Sequence, residues 1–200
     1  VTPIIEMKEL IEERMETKLQ TMGGYFKLNP KVDDIPERFS RSVGGIRLIA
    51  MGTIKKGGSG CACPENTFVK TLISHLVLAR DEAVVMDMEA GLEHFGRGTA
   101  QGVGMLIVVV EPSLASMQVA ESIIALAKDL KIKRTVIVAN KLRNASDASL
   151  VEARFGKENV MGALFAEEAV QNASLDGSFP PVLSGGNANE LEKITEEICR

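Results

Sequence analysis

From Ile46 to its end the chain alternates short apolar runs rich in β-branched residues with longer stretches of helical spacing. A strand that is apolar along its whole length has no polar face to give to water, so it must be covered on both sides by the helices between such strands. Strands are predicted near Ile46 to Met51, Ala83 to Asp87, Met105 to Glu111, Thr135 to Asn140 and Asn159 to Leu164. Between them, Phe68, Val69, Leu72, Ile73, Leu76 and Val77 form one helical stripe, and Val119, Ile123, Ile124, Ala127 and Leu130 form another. A last helix is expected over Asn189 to Cys199, with Leu191, Ile194 and Ile198 facing inward. The fold class that follows is α/β, a three-layer, mostly parallel sheet with helices on both faces.

Ahead of this repeat, Met7 to Gln20 carries Met7, Leu10, Ile11, Met15 and Leu19 at amphipathic spacing and reads as a helix closed by Gly23-Gly24. Tyr25 to Gly45 then reads as a long surface loop. No linker, repeat or low-complexity tract divides the 200 residues, so a single domain spanning 1–200 is expected. The sequence opens on Val1-Thr2-Pro3 with no initiator Met and no secretory signal pattern, and so reads as cut from something longer.

A net charge of -4 supplies no basic field for nucleic acid or an anionic membrane, and no apolar run approaches the ~20 residues of a spanning helix. Small molecules and other proteins are the expected partners. Three cysteines without a disulfide pattern suit a reducing cytoplasm.

Ligands of such sheets bind beyond the carboxyl ends of the strands. One predicted strand delivers Asp87 and then, four residues later, Gly91. An acid at a strand tip can hold Mg²⁺ through water and a glycine N–H can approach a terminal phosphate; the same Asp can equally cap a turn. Another run, Thr135 to Ala139, ends in Asn140-Lys141. An Asn amide donates and accepts together and can read the edge of an adenine, or it can end the strand in an Asx turn. Lys55 to Gly60 is glycine-rich, yet no Lys-Ser or Lys-Thr follows Gly60, so it is not a phosphate loop.

Cys61 and Cys63 can place two sulfurs on one side of an extended backbone. A tetrahedral ion would be half filled by them and completed by the same pair from a second copy on a two-fold axis; a redox pair or two free thiols are the other readings. Cys199 reads as a helix residue, His75 as a satisfied or partly buried helix residue, and His94 as an exposed residue at a helix start.

Taken together, Gly52 to Asn66, Val85 to His94 and the Phe26 to Asp34 run resemble the CooC family, relatives of MinD and the nitrogenase iron protein that act in maturing the nickel site of carbon monoxide dehydrogenase. The resemblance covers most of the chain and is strongest from Tyr25 to Glu111. It implies a MinD-like (SIMIBI) P-loop NTPase fold and ATP or ADP with Mg²⁺, Asp87 being the Walker B acid and Gly91 the switch II glycine. Asn140, with Lys141 beside it, would hold the adenine. Cys61 and Cys63 would bind Zn²⁺ or Ni²⁺ at a homodimer interface, and carbon monoxide dehydrogenase would be the client.

Two departures shape the expectation. The family's first strand and deviant P-loop have no counterpart in these 200 residues, so ATP turnover by this stretch alone is not expected. Gly162 to Glu168 stands where MinD relatives often carry an Ile-Pro-x-Asp type turn against the base. Beside the nucleotide-controlled maturation factor stand two alternatives, a metal-binding dimer that does not hydrolyse ATP and a MinD-like partner switch.

Overall fold

The computed structural model describes residues 1–18, 25–52, 63–78, 83–88, 103–178, 182–183 and 185–199. They belong to two compact units, Val1–Gly102 and Val103–Arg200.

In the first unit a 3₁₀ turn at Ile4–Glu6 leads into helix α1 (Lys8–Met15). Helix α2 (Ile35–Phe39), strands β1 (Arg41–Val43) and β2 (Ile46–Leu48), and helix α3 (Cys63–Leu78) follow. Ile11 and Met15 of α1 and Phe68 and Leu72 of α3 are pairs spaced by four, each presenting one ridge, and all four are fully buried. Ile4, Val32 and Ile35 complete that core, and each such side chain contributes roughly 1.5–3 kcal/mol by leaving water. The chain start is tied down as well, with Ile4 N–H donating to the Ala50 carbonyl at 2.8 Å and Ile5 N–H to that of Met51 at 3.1 Å. This approach demands a glycine next door: Gly52 has φ +81°, and a Cβ there would lie 2.6 Å from Pro3 Cβ.

Four sequence expectations change in this unit. The long loop contains α2, started by a proline in its first turn, and a hairpin whose Gly44 and Gly45 both have positive φ, as a two-residue mirror-type turn requires. The expected parallel strand at Ile46 to Met51 is therefore shorter, and it pairs antiparallel with the adjacent Arg41–Val43 because the glycine turn supplies a partner locally. Residues 83–88, expected as a strand, form no ladder, and Val84 and Val85 are exposed. Apolar β-branched composition favours an extended chain, but a strand also needs a neighbour to pair with. Helix α1 ends earlier than expected, where Glu16 turns left-handed at φ 53°.

The second unit holds a parallel sheet in the order β3-β4-β5, built from Met105–Val110, Arg134–Leu142 and Val160–Phe165. These match the predicted runs. Helices α4 (Leu114–Asp129) and α5 (Ala145–Phe155) are the crossovers, and α6 (Glu168–Asp176) and α7 (Gly186–Ile198) follow β5. Met117 and Ala120 of α4 and Val151 of α5 pack with Val108, Val110, Ile137 and Ala139 on one face.

Helix α7 lies on the other face. Gly162 registers with Val138, which alternates away from Ile137 and Ala139, and a Cβ on Gly162 would be 2.4 Å from Ile194 Cδ1 of α7. Four consecutive residues of β4, Val136 to Ala139, are consequently buried, as a central strand between two helical layers must be. The expected α/β architecture, a parallel sheet flanked by helices, is what this unit shows. Among the described residues no helix is long and apolar enough to cross a membrane.

Candidate functional site

The carboxyl ends of β3, β4 and β5 lie side by side, and β4 breaks its regular pattern there. Ala139 and Leu142 register with Ala163 and Phe165, so three steps along β4 match two along β5. One extra residue is a β-bulge, and Lys141 takes φ +56° to accommodate it. The bulge also resets the alternation: Ile137 and Ala139 point into the core, and Leu142, not Lys141, is the next residue to do so. Strand β4 therefore runs past the predicted end at Asn140.

Asn140 continues the other alternation, after Val136 and Val138, toward the α7 face. It is half-buried, and its amide has no hydrogen-bond partner among the described residues. It does not end the strand by an Asx turn. That role falls to Asn144, whose Oδ1 accepts from Ser146 N–H at 3.0 Å and Asp147 N–H at 3.1 Å to cap α5. Lys141 is exposed and its ammonium pairs with the Glu111 carboxylate across the ends of β4 and β3.

Behind this edge, two clusters hold the loops. Asp147 is 8% exposed and accepts from Arg143 Nε, Nη2 and backbone N–H at 2.9–3.0 Å. The guanidinium hydrogen bonds, joined by the backbone one, hold its carboxyl below the usual aspartate range. On the β5 side, Asn187 in the first turn of α7 is 7% exposed. Its Oδ1 accepts from Phe165 N–H at 2.8 Å, and its Nδ2 donates to the Phe165 carbonyl at 2.9 Å and to Glu167 Oε1. One turn along α7, Glu190 Oε1 accepts from Ala163 N–H at 3.2 Å. The edge of β5 that faces away from β4 is thus paired by side chains, which removes an exposed strand edge. Finally, Ala166 N–H donates to the Leu142 carbonyl at 2.8 Å, joining the segment after β5 to the bulge of β4.

Asp87 sits in the first unit, exposed, in the unpaired stretch 83–88. Gly91, Cys61 and His94 are outside the described residues, and Cys63 opens α3 without a described side chain. His75 is on α3, as expected, but exposed there and not partly buried. Cys199 is exposed and caps α7, one residue past the helix in which it was expected.

Sequence reasoning did not find Glu111, Asp147 or Asn187. The Asn-x-Ser-Asp run at Asn144 was a readable helix start, whereas Asn187 is recognisable only once α7 is seen to cross the edge of β5.

No family model matches the sequence. Over 175 residues it is 44% identical to the carbon monoxide dehydrogenase accessory protein CooC of Rhodospirillum rubrum, a match covering 88% of this chain and 66% of that protein. It is 39% identical over 203 aligned positions to an uncharacterised ATP-binding protein of Methanocaldococcus jannaschii, covering all of this chain and 78% of the relative. A second uncharacterised ATP-binding protein of that organism is 27% identical over 86% of this chain and 67% of its own length.

Proposed function

Since the chain belongs to the CooC family, we propose that it is an ATP-binding accessory factor in the maturation of carbon monoxide dehydrogenase, supporting nickel insertion as a metal-bridged, nucleotide-controlled homodimer in the cytoplasm. The observation that carries the reading is the 44% identity with the accessory protein across 88% of the chain. The sheet edge supports the nucleotide part. Asn140 offers a half-buried amide near the carboxyl end of a parallel strand, without a hydrogen-bond partner among the described residues, where a planar base can take one hydrogen bond and give another.

In this reading Asn140, with Lys141 beside it, holds the adenine. Asp87 and Gly91 belong to the Mg²⁺ and phosphate end, and Cys61 with Cys63 supplies two thiolates to a shared ion. Thiolates suit Zn²⁺ and Ni²⁺ alike. Bound ATP would contribute a charged phosphate end able to favour the closed dimer. Turnover is not assigned to these 200 residues, in which no glycine loop ends in Lys-Ser or Lys-Thr.

The test is nickel-dependent activation of nickel-free carbon monoxide dehydrogenase with this chain and ATP, set beside direct ATP titration. Activation should require the chain, and Asn140→Ala should weaken ATP binding on the order of tenfold, the loss of a bidentate contact. Metal-bridged dimers that ignore ATP would instead support the non-hydrolysing carrier, and a chain that neither binds ATP nor aids activation would refute the proposal.

A further inference from the structure

We infer that Asn187 is a positioning residue for base selection, acting through the Phe165–Glu167 segment that walls the Asn140 corner; the inference rests on the adenine-nucleotide reading above.

Three observations meet at that corner. Asn140 alternates with Val136 and Val138 toward the face that carries α7, so a ligand gripping its amide lies on the α7 side of the sheet end. On the β5 side, the segment after β5 is held to β4 two residues past Asn140 by the hydrogen bond from Ala166 N–H to the Leu142 carbonyl. And a buried side chain, Asn187, holds that segment from the other side. Asn187 spends its oxygen and both amide donors on it, two bonds to the Phe165 backbone and one to Glu167.

This use of an amide is costly unless it is complete, because a buried amide with a missing partner loses free energy. Asn187 makes three hydrogen bonds, all to the two residues that flank Ala166. The consequence is a rigid wall, with the edges of Phe165, Ala166 and Glu167 set at a fixed distance from the bulge. A rigid wall discriminates by shape and by the polar groups a ligand must match, whereas a loose one accommodates several bases. The ligand class is a purine nucleotide, and the property controlled is preference for the adenine base over guanine. Phosphate binding is not controlled from here.

The experiment compares the full chain with Asn187→Ala and Glu167→Gln in titrations with ATP, GTP and inorganic tripolyphosphate, each variant's fold being checked by thermal melting. Asn187→Ala should lose about tenfold in ATP affinity, lower the ATP:GTP preference by a similar factor and leave tripolyphosphate binding unchanged. Glu167→Gln, which keeps an acceptor for Nδ2, should retain the preference. If Asn187→Ala weakens ATP, GTP and tripolyphosphate equally, or keeps the ATP:GTP ratio, Asn187 only stabilises the fold and the inference is wrong while the nucleotide reading stands. If the unaltered chain shows no preference for ATP, the adenine reading itself fails and takes the inference with it.

Discussion

Replacing Gly162 by Ala tests how α7 is held to the sheet. A Cβ at this position would sit 2.4 Å from Ile194 Cδ1 and 2.7 Å from Ile194 Cγ1, against roughly 3.5–4.0 Å for relaxed carbon contacts. Rotation about χ2 can swing Cδ1 aside. Cγ1 is set by χ1, which a β-branched residue in a helix holds in one well, so Ile194 cannot clear the methyl without moving α7. Overpacking of this kind costs about 1–3 kcal/mol, offset by roughly 0.5–1 kcal/mol because alanine loses less backbone entropy than glycine in a strand.

The expected net loss is about 1–2 kcal/mol, read as a lower urea midpoint with unchanged slope. Ile194→Ala alone should cost about 2–5 kcal/mol, since the side chain is almost fully buried. In the double variant the new methyl occupies part of the vacated space. The two changes should therefore fall short of additivity by roughly 0.5–3 kcal/mol. Strict additivity would show that Ile194 does not meet Gly162, and the placement of α7 over β5, Asn187 included, would have to be abandoned.

Two further outcomes follow. Asp34 accepts from Arg14 Nη1 and Nη2 and from Arg38 Nη1 at 2.8–3.0 Å, and these bonds hold its carboxyl far below the ordinary range. A depressed folded value means the contribution is complete above the unfolded value of about 4 and is lost as pH falls toward the folded one; Asp34→Asn should flatten this acid-side decline in melting temperature, and an unchanged profile would refute the link. Cys61 and Cys63 should bind one Zn²⁺ or Ni²⁺ per two chains, with weaker binding at low pH because thiolates must shed protons; sedimentation with metal analysis on the native chain and the Cys61→Ser, Cys63→Ser variant would overturn the bridged site if it gave one metal per chain.

The legible parts of the fold were those with a strong period. Met105–Val110 and Arg134–Leu142 are apolar β-branched runs, and the strands formed where those runs lie. The hairpin at Arg41–Leu48 was also written in the sequence, as a Gly-Gly pair between short alternating runs, but its low hydrophobicity made it look like loop. Residues 83–88 show the converse. Their composition favours extension, and no composition can supply the neighbouring strand that turns an extended segment into a ladder. The candidate site was legible at Asn140 and Lys141 by their place after an apolar run. Asn187 was not, because its partner Phe165 is 22 residues away in sequence and only the packing of α7 brings them together.

The bulge in β4 links core packing to the site. In an uninterrupted strand Lys141 would follow Ile137 and Ala139 into the core, where a lysine could not be left unpaired without a heavy desolvation cost. The extra residue hands that inward position to Leu142, which is 1% exposed, and releases Lys141 to solvent and to Glu111. The same shift leaves Asn140 as the last residue of the opposite alternation, near the sheet end and with no hydrogen-bond partner for its amide among the described residues. A single strained backbone position, Lys141 at φ +56°, thereby satisfies the core and presents the polar group. Asn and Lys at these two positions are what such a bulge tolerates: Asn is short and polar at a half-buried edge, and Lys can carry its charge outward along a flexible stem. The core would accept any hydrophobic residue of Leu142's size without fixing the identity of Asn140. In the nucleotide reading proposed above that identity answers to the ligand, and the Asn140→Ala titration tests it.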